Sequence, residues 1–97
     1  MAKNKFAEAN KIGSQKIQAA LSEVRSASGD MTVKRRLRGA EEQLAVAPPV
    51  LGSDASYIDD EVLQLLSQFL KVEQDGVLTG RYLDRIETLL ARRRTMI

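Results

Sequence analysis

Between Ser56 and Arg94 the large apolar side chains recur at helical spacing in two runs, separated by a short break at Gln74–Gly80. This constrains the chain more than any other feature. Ile58, Val62, Leu65, Leu66, Phe69 and Val72 share one face, which Leu63 and Leu70 widen to about half the circumference. A face that wide touches two neighbours, so this run reads as the central helix of the fold. Tyr82, Leu83, Ile86, Leu89 and Leu90 form the face of the next helix, expected over Arg81–Arg92. The pair predicts a helical hairpin.

Upstream, Phe6, Ala9, Gly13, Ile17, Ala20, Leu21, Val24 and Ala27 lie on a narrow stripe, predicting a long helix over Lys3–Ala27. Small residues in that stripe let a partner backbone come close. Ser28-Gly29-Asp30 is a break, with Gly29 suited to a left-handed C′ position and Asp30 to an N-cap. Met31–Ala47 repeats the pattern through Val33, Leu37, Ala40, Leu44 and Ala47. The two patterns form either two helices or one kinked at Gly29. Pro48-Pro49 stops the second, because the first ring disfavours helical geometry at Ala47 and neither proline donates an N–H.

The expected fold is therefore all-α, with three to four helices: a C-terminal helical hairpin plus a long N-terminal helix. Its parts are a basic N-terminal helical arm over residues 1–47, a Pro/Gly connector over 48–55 with Val50 and Leu51 on the core, and the hairpin over 56–97. Ser56-Tyr57-Ile58-Asp59 resembles a capping box, Thr79 is the expected cap of the last helix, and Thr95-Met96-Ile97 is expected to fray. No internal repeat stands out.

Composition narrows the chemistry. The 97 residues include no Cys and no His, and the aromatics are Phe6, Tyr57, Phe69 and Tyr82. Disulfides, imidazole or thiolate metal sites, and Cys or His catalysis are excluded. The serines have no His to activate them, and the glycines lack phosphate-loop spacing. No catalytic, cofactor-binding or metal residues are expected. The loop around Asp75-Gly76 faintly resembles an EF-hand, but Lys71 and Tyr82 fall where calcium needs oxygen ligands. Asp54, Asp59, Asp60 and Glu61 cluster where a helix begins, which favours capping over acid–base work or magnesium.

The net charge of +2 is unevenly spread: +6 over residues 1–38, −2 over 39–52, −5 over 53–90 and +3 over 91–97. Opposite ends of this distribution attract, within a chain or between copies. Lys34, Arg35, Arg36 and Arg38, with Arg92, Arg93 and Arg94, are the candidate phosphate contacts, against a solvated or salt-bridged face and, less so, an anionic membrane surface. No secretory h-region or apolar span is visible, so the expected location is cytoplasmic or within a soluble assembly.

These features favour a non-catalytic structural or assembly protein that packs into a larger homo- or hetero-oligomer, in the manner of a virion or secretion-machine part. Phe6, Gly13, Ile17, Leu21 and Val24 would form the protein interface. The expected partner is a protein, itself or another chain, with no small-molecule substrate. The alternative is a basic-helix nucleic-acid-binding accessory protein of little sequence specificity. A regulator docking through the acidic start of the third helix is a further reading.

Overall fold

A computed structural model of the chain describes residues 5–97. It is all-α, with helices α1 (Ala7–Ala27), α2 (Met31–Val46), α3 (Ser56–Val72) and α4 (Gly76–Arg94). Of the two alternatives for the N-terminal arm, one kinked helix or two, the structure has two, Ala7–Ala27 and Met31–Val46. Lys3, the expected start of the first, lies outside the described residues, and Phe6 stands at its cap position.

The breaks are chemical. Ser28 is extended and Gly29 does not take the expected left-handed conformation; no described glycine does. The turn is held instead by side chains. Asp30 accepts the N–H groups of Thr32 and Val33, satisfying two of the donors a helix start leaves open. Asp75 does the same for Val77 and Leu78, so α4 begins a turn before the expected Thr79 cap. Thr79 is instead buried, and its hydroxyl donates to backbone carbonyls at the end of α3 and in the turn.

α1 and α2 form one antiparallel hairpin, α3 and α4 another. α1 packs on α2 and α3, and α4 packs on α3 and α2. Ser28 of α1's end meets Glu73 of α3's end, so α1 and α3 run parallel; Arg36 meeting Asp84 and Glu87 sets α2 parallel to α4. The connector must therefore cross one end of the bundle diagonally, from α2 to α3.

The two hairpins share a burial pattern. Buried Ile17, Leu21 and Val24 on α1 match buried Val62, Leu66 and Phe69 on α3, forty-five positions on. Val33, Leu37, Ala40 and Leu44 match Thr79, Leu83, Ile86 and Leu90, forty-six positions on. These stripes merge into one core, with Phe69, Ile17, Leu21, Leu37 and Ile58 fully enclosed. The molecule is a rod of 47 × 20 × 18 Å.

Candidate interaction surfaces

A buried polar network sits where four segments meet. Position 93 continues the inward stripe Leu83, Ile86, Leu90 of α4, so its arginine is carried into the interior. Asp59 lies beside Ile58 on the inward side of α3. Both are about 95% enclosed. Arg93 Nε donates to Asp59 Oδ1 at 2.6 Å, and Nη2 donates to Asp59 Oδ2 at 3.3 Å and to the Asn10 carbonyl at 2.8 Å. The side chain of Asn10, itself buried, clasps the connector. Its Nδ2 donates to Val50 and Ser53 carbonyls at 2.9 and 2.7 Å, and its Oδ1 accepts the Ala55 N–H at 3.1 Å. Gly13 provides the room: a Cβ there would collide with Asp59 Oδ2.

This network corrects several expectations. Asp59 does not cap α3; Ala55 holds the cap position, and Asp54 accepts the Ser56 N–H. Arg93, expected among the phosphate contacts, is instead enclosed against Asp59. The tail is tied rather than free, because Gly52 donates its N–H to the Ile97 carbonyl and Met96 packs on the core. Sequence reading missed the pair because charge was read as surface. The available signal was a cation and an anion each lying on an apolar stripe.

Part of the basic cluster is engaged within the chain. Arg36 donates to Asp84 at 2.8 Å and to both Glu87 oxygens at 2.7 and 3.0 Å. Glu87, then Asp84, hold its guanidinium above the ordinary arginine range. Arg38 lies 3.7 Å from Glu42, Arg25 pairs with Glu41, and Arg85 with Glu61. Uneven charge along the sequence is thus partly neutralised across the helices. Lys34, Arg35, Arg92 and Arg94 enter none of the ion pairs among the described residues.

Ile17, Leu21 and Val24 of the predicted interface are buried in the chain's own core, Gly13 lies against Asp59, and Phe6 is half-buried. The chain's own helices, α2 and α3 packing on α1, cover this seam. Exposed apolar residues lie elsewhere. Met31, Leu70, Val77 and Leu78 sit at or beside the two turns, where Glu73 accepts the Ser28 hydroxyl and Gly29 N–H and so ties the turns together. Val46, Leu51 and Ile97 are exposed near the opposite end. There a groove of about 360 Å³ runs between the first half of α1 and the connector, and one of about 280 Å³ lies between α1 and α3 beside Gly13 and Asp59.

Among the described residues no group of three or more Asp or Glu is placed to hold a metal, and no helix is long and apolar enough to cross a membrane. Comparison of the chain with protein-family models, curated proteins and solved structures found no match.

Proposed function

We propose that this protein is a non-catalytic helical assembly component that packs end-on into a larger homo- or hetero-oligomer through the end carrying the two helical turns. The observation that carries this reading is the exposure of Met31 (70%), Val77 (66%), Leu70 (43%) and Leu78 (37%) around turns already pinned to each other. Apolar side chains left in water at a preorganised end gain roughly 25 cal/mol per Å² when covered. A rigid end also orders little on binding, so less of that gain is lost. The interface assigned to Phe6, Gly13, Ile17, Leu21 and Val24 moves in this reading to the turn end.

Light scattering after size exclusion tests it. The native chain should form a discrete oligomer, and the double variant Met31→Lys/Val77→Lys should run as a monomer with unchanged helical circular dichroism. An oligomer untouched by the double variant would remove the turn end from the interface.

The nucleic-acid alternative retains one supporting observation, the four cations without carboxylate partners among the described residues: Lys34, Arg35, Arg92 and Arg94. The same measurement with duplex DNA at low and high salt separates the two. A shift that vanishes with salt and with the Gln variants of those four residues would favour phosphate contact.

A further inference from the structure

We propose that the groove between the first half of α1 and the Pro48–Leu51 connector binds an aliphatic carboxylate, its anionic head on Arg93 Nη1 and Lys11 and its chain along Leu44, Ala47 and Leu51. This goes beyond the assembly reading and does not depend on it.

The argument starts at the guanidinium. Arginine has five N–H donors in a fixed plane. In Arg93 the Nε and Nη2 edge is spent on Asp59 and the Asn10 carbonyl. Nη1 has no acceptor among the described residues, yet no buried side-chain nitrogen or oxygen there lacks a partner. Nη1 is therefore open to solvent from a side chain that is itself about 95% enclosed. The space bordering Arg93 is the groove and a small crevice of about 10 Å³ beside it. Nη1 is thus the donor left to this concave space, at little further ordering cost because Asp59 already holds the plane.

The walls set the rest of the ligand. One side is apolar, from Leu44, Ala47, Pro48, Pro49 and Leu51; the other is polar, from α1. Lys11 adds a cation that enters no ion pair among the described residues, and Glu8 is the opposing charge at the rim. Paired N–H donors beside a cation suit a carboxylate, whose hydrogen bonds are roughly twice as strong as those of a neutral acceptor. At about 360 Å³ the groove falls within the range of small-ligand sites.

The test is an NMR titration of the full chain with octanoate, octanamide and octylamine. Octanoate should shift the Arg93 guanidinium signals and the Ala47, Val50 and Leu51 amides saturably, and bind roughly tenfold more tightly than octanamide. Octylamine should not bind. Each methylene removed should weaken binding by up to about fourfold. Leu51→Glu leaves the Arg93–Asp59 bond intact while placing an anion in the wall, and should cut octanoate binding at least tenfold with the helical spectrum unchanged. The proposal is overturned by no saturable shift, by octanamide binding as well as octanoate, by shifts confined to the turn end, or by undiminished binding to Leu51→Glu. The assembly reading is judged separately by the oligomeric state without ligand.

Discussion

Glycine 13 is the residue whose substitution separates local propensity from tertiary contact. Alanine normally stabilises a helix interior by about 1 kcal/mol over glycine. At Gly39, where a Cβ would meet open space, Gly39→Ala should raise stability by up to that amount. At Gly13 the same change drives a methyl group into Asp59 Oδ2 and displaces a carboxylate buried against Arg93. Gly13→Ala should therefore lower the midpoint of urea unfolding, opposite in sign to Gly39→Ala. The ion pair itself gives a second test. Arg93→Met leaves an uncompensated buried carboxylate and should cost about 3–5 kcal/mol. Combining it with Asp59→Leu should cost clearly less than the two single changes together. Additive costs would mean that the charges act independently.

At the scale of the element, the helices depend on aspartates at their starts. Asp30 and Asp75 each accept two backbone N–H groups, so Asp30→Ala and Asp75→Ala should each cost about 1 kcal/mol in chemical denaturation. Hydrogen exchange should show the loss first in Thr32–Val33 and Val77–Leu78. Asp54, before α3, gives a test by pH. Hydrogen bonds from the Ser56 side chain and backbone hold its carboxyl below the usual aspartate range. Its contribution is thus complete above the unfolded aspartate value and fades as the pH falls through the lower folded value. Carboxyl NMR should place the Asp54 titration below that of a free aspartate, and Asp54→Asn should remove this acid limb from the start of α3. Because Asp54 is exposed, the effect should be small.

The whole molecule is two hairpins joined by a diagonal crossover, and one side chain holds the crossing. Asn10 takes three backbone partners between Val50 and Ala55 while its own carbonyl meets Arg93. Asn10→Leu removes all three side-chain bonds and leaves the buried Val50 carbonyl and Ala55 N–H unpaired, at about 1–3 kcal/mol each. It should expose the 50–55 amides to hydrogen exchange well before the helices open. Loss of protection spread evenly over all four helices would instead show that the crossover and the bundle open together. The matched burial of the hairpins belongs to this scale too. Residue identity carries it only in part: Leu21, Leu37 and Leu44 match leucines, but Val24 matches Phe69 and Val33 matches Thr79, so the full match shows as positions turned inward.

The helical class, the stripes Val33–Leu44 and Leu83–Leu90, the Asp30 cap and the stop at Pro48 were legible in the residues, because each rests on spacing or backbone chemistry within a few positions. Val50 on the core was legible as well, though Leu51 beside it is exposed. The cap of α4, the burial of Asp59 and Arg93, the pairing of Arg36 and the covering of Ile17, Leu21 and Val24 were not. Except for the cap, these depend on partners tens of positions away. A charge or an apolar stripe states what it needs, a counter-charge or a dry neighbour, without stating which segment supplies it. Only the packing of the two hairpins decided that the chain supplies these partners itself, and that its turns and its crossover groove are left facing outward.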